Sequence, residues 1–240
     1  YLWERDWQVM YLFPRLPHQR LGQLLRAKVD IKDKLILDYG SSRGNLLEDG
    51  VDTGMISPIN YSAMDVDNWS LDMIRADFPE ADAIHYDRYN PMYNPDGIKQ
   101  LSFPQFDHRY HMTYSYSVNT HSSWDDYLFD IVEMFRVSCG EVYTSILDLD
   151  CLKILHDKRV KDYGSAVDFD VFENVDTGVY FINNDTVLDL DQEIPHKVDF
   201  LLAYYNPEWL ISEVSKIGVK VRLIPSEVPG IQPLLEIKDN

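Results

Sequence analysis

Cysteine is nearly absent: Cys139 and Cys151 are the only two in 240 residues, and their spacing fits neither a metal-ligand set nor a redox pair. A chain of this length buries enough apolar surface to fold without disulfide staples, so a reducing, cytoplasmic setting is expected, with no metal site. Long apolar runs are also lacking. No stretch approaches the ~20 residues needed to cross a bilayer, and no secretory signal is visible in a chain that begins at Tyr1 rather than at Met. Positive charge is scarce, with Lys and Arg totalling 22 against 40 Asp and Glu, a formal net charge of -18. The acidic residues are scattered, and a surface of that sign repels a phosphate backbone, which disfavours sequence-independent nucleic-acid binding. It suits a neutral or cationic substrate, and equally a solubility or high-salt adaptation. Arg15, Arg20, Arg26 and Lys28 form the one basic cluster, and a solvated helix face would look the same.

What the chain does have is Leu35-Ile36-Leu37-Asp38-Tyr39-Gly40-Ser41-Ser42-Arg43-Gly44-Asn45-Leu46-Leu47, an apolar run, a small-residue turn and a resumed apolar period. The pattern predicts a strand, a tight turn and a helix start. Glycine permits positive φ and close approach to the main chain, while the free N–H groups of a helix start favour polar or anionic ligand groups. The helix that follows is expected to be short, over Leu46 to Asp49, before Gly50 and Gly54 interrupt it. Upstream, residues 1–33 carry two amphipathic patterns, one through Leu2, Trp3, Trp7, Met10 and Tyr11 and one through Leu21, Leu24, Leu25 and Val29.

Downstream, strands are expected at Tyr61 to Met64, ending in Asp65, and at Ala83 to Tyr86, ending in Asp87. Trp69, Leu71, Met73 and Ile74 mark a helix between them. Such alternation is the signature of a parallel sheet covered by helices. Residues 89–97 repeat Tyr-Asn-Pro and predict an ordered, turn-rich loop beside the ligand mouth. A fourth strand over Tyr110 to Ser117 puts His111, Thr113, Ser115 and Ser117 on one face, which is therefore wet or hydrogen-bonded. Ser122 or Ser123, each with an aspartate three positions on, caps a helix ending near Cys139-Gly140, and Val142 to Leu147 make a fifth strand. The less regular stretch 151–203 reads as a β-rich insertion with strands at Val167 to Phe172, Val179 to Ile182 and Thr186 to Leu190. A helix at Pro207 to Ile217 and strands at Val219 to Ile224 and Leu234 to Ile237 close the chain.

Over most of its length this sequence resembles the class I S-adenosylmethionine-dependent methyltransferases. Asp38-Tyr39-Gly40-Ser41-Ser42-Arg43-Gly44 is similar to the family's glycine motif, with Ser42 in place of the usual middle glycine. Phe135 to Glu141 resembles the turn before the family's fifth strand, and Asn206-Pro207-Glu208-Trp209-Leu210 with Gly218 its last helix. The resemblance implies a Rossmann-like seven-stranded, mostly parallel sheet with helices on both faces and S-adenosylmethionine as cofactor. It assigns Asp38, Gly40, Ser42, Gly44, Asp65, Val66 and Asp87 to the donor, Asp65 to the ribose hydroxyls and Asp87 to the adenine amino group. One domain is expected, made of a helical cap (1–33), a donor-binding core (34–150), the insertion (151–203) and a closing segment (204–240). A dinucleotide fingerprint requires glycine at the first, third and sixth positions, which here hold Gly40, Ser42 and Asn45.

Methyl transfer is an in-line displacement, so the protein aligns the reactants and, for a protonated acceptor, supplies a base. His121, following the fourth strand, is the candidate base, with Tyr116 and Asn119 as orienting groups. A helix-start histidine bonded to backbone or solvent fits the same position equally well. His85, His108, His111 and His196 have weaker claims. The place where amino-methylating DNA enzymes carry a Pro-Pro-aromatic motif reads Ser117-Val118-Asn119-Thr120, and neither cysteine follows a proline. The expected reaction is O- or N-methylation of a small-molecule acceptor, with nucleic acid unlikely, no membrane and no stated oligomer. The alternatives are a non-catalytic donor-binding partner protein and an RNA or protein methyltransferase.

Overall fold

The computed structural model describes residues 19–148, 151, 176–182, 186–226 and 232–240. The first amphipathic pattern, Leu2 to Tyr11, and the expected strand at Val167 to Phe172 lie outside them. The glycine-bounded apolar run folds as strand β1 (Ile36–Tyr39), turn and helix α2 (Asn45–Asp52), preceded by α1 (Gln19–Arg26). Then follow β2 (Tyr61–Asp65), α3 (Asn68–Asp77), β3 (Asp82–His85), β4 (Met112–Ser115), α4 (Trp124–Val137) and β5 (Glu141–Ser145). After these come β6 (Gly178–Ile182), β7 (Thr186–Asp189), β8 (Leu201–Tyr205), α5 (Pro207–Ser215), β9 (Lys220–Ile224) and β10 (Leu234–Lys238).

Seven strands form one sheet in the order β3-β2-β1-β4-β5-β10-β9, and β7-β6-β8 form a second. The first five strands of the large sheet pair in parallel, and β10 is antiparallel to both β5 and β9. β1 and β4 are buried along their whole length because helices cover both faces. On one face Leu21, Leu24, Leu47, Leu71 and Ile74 bring α1, α2 and α3 together; on the other Tyr127, Ile131, Met134, Leu210 and Val214 bring α4 and α5. The small sheet shares the second core through Tyr180, Ile182, Leu201, Ala203 and Tyr205.

Two details differ from expectation, the course of α2 and an additional strand. Helix α2 runs through Gly50 instead of stopping there; the Ile56 side chain lies 2.5 Å from where a Cβ would stand, so the glycine is a close-packing point, not a breaker. The polar face of β4 is hydrogen-bonded, one of the two states expected of it: Thr113 Oγ1 donates to the Met134 carbonyl at 3.2 Å, and Ser115 Oγ to Thr144 Oγ1 at 2.8 Å. Strand β8 was not expected. It pairs with β6 over Leu201–Tyr205 and touches the end of β5, where the Tyr205 N–H donates to the Leu147 carbonyl at 2.9 Å. Of the two capping candidates, Ser123 holds the position, its side chain accepting from the Asp126 N–H.

Candidate active site

The turn after β1 passes through positive φ at Gly40 (70°), Ser42 (50°) and Gly44 (79°). At Gly40 no other residue fits, since a Cβ would stand 2.0 Å from Val118 Cγ2. Serine tolerates the left-handed region at a modest cost, so Ser42 can replace a glycine there. With that geometry the Ser42 N–H points across to β2 and donates to Asp65 Oδ2 at 2.8 Å, while the Asp67 N–H donates to Oδ1 at 2.9 Å. Burial raises the Asp65 pKa, opposed by these two backbone bonds. Each carboxylate oxygen keeps further acceptor capacity, enough for a pair of vicinal hydroxyls. Val66, next in the chain, accepts at its carbonyl from His85 Nε2 at 3.2 Å.

Beneath the turn, Asp38 is fully buried, bonded by the Tyr61 hydroxyl and 3.5 Å from Arg20 Nη1. Burial pushes its pKa up to about 6 against the pull of Arg20 and the Tyr61 bond. Arg20 also reaches the carbonyls of Gly40 and Ser41 at 3.4 Å each. Of the basic cluster, Arg15 lies outside the described residues, Arg20 turns inward to Asp38, and Arg26 and Lys28 stay at the surface. Asp38 Oδ1 and Ser41 Oγ are buried without a hydrogen-bond partner among the described residues, as is Asn119 Oδ1 beyond β4. Such groups are costly to leave unpaired; these three follow or end the neighbouring strands β1 and β4, while Arg88, Gln105, Tyr110, Tyr127 and Tyr205 carry others elsewhere in the protein.

The rest of that end is a hydrogen-bonded polar cluster. Asn119 Nδ2 donates to Thr144 Oγ1 at 3.2 Å, and Ser145 Oγ to Gln232 Oε1 at 2.5 Å. Gln232 Nε2 donates to Ser117 Oγ at 3.0 Å. His121 is buried, and one ring nitrogen, Nδ1, donates to the Leu201 carbonyl at 2.7 Å. A carbonyl only accepts, so the proton sits on Nδ1 and Nε2 carries the lone pair. Burial lowers the ring's pKa to about 4, only partly countered by that bond, and the imidazole is neutral at physiological pH. Tyr116 does not join it: the Tyr116 ring packs with the α1–α3 core under the Arg20 guanidinium, 5.4 Å away, with its pKa pushed up to about 12 by burial.

Asp87 lies two residues beyond β3 and is exposed. Its Oδ1 accepts from Asn94 Nδ2 at 3.0 Å, which ties it to the Tyr-Asn-Pro loop. That loop is anchored to the rest of the protein. The Tyr89 hydroxyl donates to the His196 carbonyl at 3.0 Å and the Val198 N–H to the Pro91 carbonyl at 3.1 Å. No grouping of side chains suited to a metal ion occurs among the described residues.

Comparison with known proteins gives a fold and no sequence relative. Neither a family model nor a curated protein matches the sequence. Solved structures do match over nearly the whole chain. The glycopeptide N-methyltransferase MtfA, solved with S-adenosylhomocysteine, superposes with a TM-score of 0.57 at 9% identity, over 97% of each chain. The 1,6-didemethyltoxoflavin-N1-methyltransferase of Burkholderia thailandensis, also holding S-adenosylhomocysteine, gives 0.55 at 11% identity, covering 98% of this chain and 84% of that one. Magnesium protoporphyrin IX methyltransferase from Synechocystis PCC 6803 gives 0.53 at 12%, covering 98% and 93%. The chain has the class I methyltransferase fold.

In a methyltransferase fold the ends of β1, β2 and β4 face one mouth, and the structure brings the glycine turn, Asp65, Asn119 and His121 there. Tyr116 stands against Arg20, and Asp87 is exposed. Arg20 and the Leu201 carbonyl were not in the sequence reading as site groups. A buried strand-end aspartate needs a cation, which is the one signal that pointed to Arg20. Nothing local announces Leu201, which lies 80 residues from His121.

Proposed function

We propose that this protein is an S-adenosylmethionine-dependent methyltransferase acting on a small-molecule acceptor through oxygen or nitrogen. The observation that supports the reading is the positive-φ turn after β1 with Arg20 and the unpartnered oxygens Asp38 Oδ1 and Ser41 Oγ at it, and Asn119 Oδ1, also unpartnered, beyond the neighbouring strand β4. A zwitterionic amino-acid group matches them, its ammonium donating to the oxygens and its carboxylate facing Arg20. Asp65 and Val66 then hold the ribose side and Asp87 the outer rim. The donor, when bound, supplies an electrophilic methyl group on a positively charged sulfur. The protein holds the acceptor in line with it and excludes water.

His121 faces the acceptor in this reading. A neutral imidazole with Nδ1 committed to Leu201 offers Nε2 as a hydrogen-bond acceptor to an incoming O–H or N–H. Asn119 orients it or the donor. The strong negative charge of the surface favours a neutral or cationic acceptor over a polyanion.

Calorimetry with S-adenosylmethionine and S-adenosylhomocysteine tests the donor. Binding of both is expected, and no heat at millimolar ligand overturns the reading. Asp65→Ala should weaken binding by ~1–3 kcal/mol, the worth of hydrogen bonds to a charged group. Transfer of labelled methyl to a panel of small amines and phenols, followed by mass spectrometry, tests the reaction itself.

A further inference from the structure

The Tyr-Asn-Pro pair is a device for holding one side chain. Asn90 and Asn94 exchange backbone hydrogen bonds at 3.0 Å in both directions and close a tight loop with Tyr93 at its tip. The two asparagine side chains then grip opposite flanks. Asn90 Oδ1 accepts from the Met92 and Tyr93 N–H groups at 2.9 Å each, and its Nδ2 donates to the His121 carbonyl at 2.9 Å. Asn94 Nδ2 donates to Asp87 Oδ1 and to the Arg88 carbonyl, both at 3.0 Å. Gly97 allows the closure, since a Cβ there would meet the Arg88 carbonyl carbon at 2.7 Å. The loop is thus fastened at once to the end of β3 and to the segment after β4.

Tyr93 bridges the mouth from that position. Its ring meets His121 in a T-shaped contact with centroids 5.3 Å apart. Burial, with a smaller contribution from the Asp65 carboxylate, pushes the phenol's pKa up to about 12. Because β2 and β1 lie between β3 and β4, a loop fastened to Asp87 beyond β3 and to the His121 carbonyl beyond β4 passes over the C-terminal ends of β2 and β1, where the glycine turn begins.

We propose that Tyr93 is a positioning residue of the transfer site, an aromatic wall beside the donor's positively charged sulfur and its methyl group, which makes the site prefer the charged donor to its neutral product. The proposal rests on the donor reading above. An aromatic ring attracts a cation and leaves a neutral thioether nearly indifferent. With His121 on the other side of the same contact, Tyr93 also bounds the corridor along which an acceptor lone pair approaches the methyl group.

The test compares three ligands by calorimetry: S-adenosylmethionine, with a methyl group on a cationic sulfur; sinefungin, with an ammonium group at that place; and S-adenosylhomocysteine, with neither. Tyr93→Ala should weaken the first two by about three- to thirtyfold, the range of a cation on an aromatic face, and the third by less than about twofold. Tyr93→Phe should restore most of the difference. Phe106→Ala, an aromatic removed from an 83% exposed position, serves as the control and should change none of the three. Equal weakening of all three ligands by Tyr93→Ala, or no weakening at all, overturns the placement of Tyr93 while leaving the donor reading intact. If the unaltered protein binds none of them, both readings fall together.

Discussion

Gly40 and Gly54 share nearly the same backbone conformation, φ 70° and 68°, and differ in what surrounds them. Nothing lies within 4 Å of a Cβ built on Gly54, whereas one on Gly40 overlaps Val118. Gly54→Ala should therefore cost only the left-handed strain, about 1 kcal/mol. Gly40→Ala adds overpacking and should cost about 2–4 kcal/mol in urea unfolding, with donor affinity falling as the turn shifts. Equal costs would mean that Val118 yields freely. His121 gives a pH signature at the same scale. Its folded pKa, about 4, lies below the ordinary 6.5, so its contribution is complete above pH 6.5 and is lost as pH falls toward 4. Asp38 and Asp130, with pKa values raised by burial to about 6 and about 7, act in the opposite sense, losing stability as pH rises. The difference between the unaltered protein and His121→Gln isolates the histidine. That difference should fall by about 3 kcal/mol between pH 7 and pH 4 in urea titrations.

Among the elements, α4 carries an ion-pair network that holds the loop after β3 in place. Arg88, 2% exposed, lies 2.7 Å from Asp126 and 3.5 Å from Asp130, and the Tyr39 hydroxyl of β1 donates to Asp130 at 3.0 Å. The network joins the strand that precedes the glycine turn to the root of the Tyr-Asn-Pro loop. Arg88→Met should destabilise by about 3–5 kcal/mol, because it strands two carboxylates in a low-dielectric setting. Replacing Asp130 by Leu in the same chain should recover a substantial part, and thermal unfolding of the single and double variants measures it. Donor affinity should follow the loop, falling in the single variant. The elements themselves were largely legible. Alternating strands and helices, the serine cap of α4 and the proline start of α5 are local patterns. Strand β8 was not, because a five-residue apolar run reads alike as strand or as covered loop until β6 and β5 are seen to receive it.

For the molecule as a whole, a formal charge of -18 sets the long-range field. With Arg20 turned inward, the basic cluster that could have offset it locally loses a member. Fluorescence polarisation with a short labelled duplex should show no binding at micromolar protein and ~0.1 M salt, and tight, salt-sensitive binding would overturn the preference for a small acceptor. No helix among the described residues is long and apolar enough to cross a membrane. The sequence by itself determined the parallel α/β order, the glycine turn and Asp65 at the second strand's end. These depend on residues near one another in the chain, whose periodicity and backbone preferences act locally. Only the tertiary structure decided that Tyr116 packs against Arg20, that Arg20 belongs to Asp38, that Tyr93 meets His121 and that His121 is held by the Leu201 carbonyl. Those relations join groups up to 80 residues apart, and side-chain burial and pairing across such separations are set by how strands and loops pack.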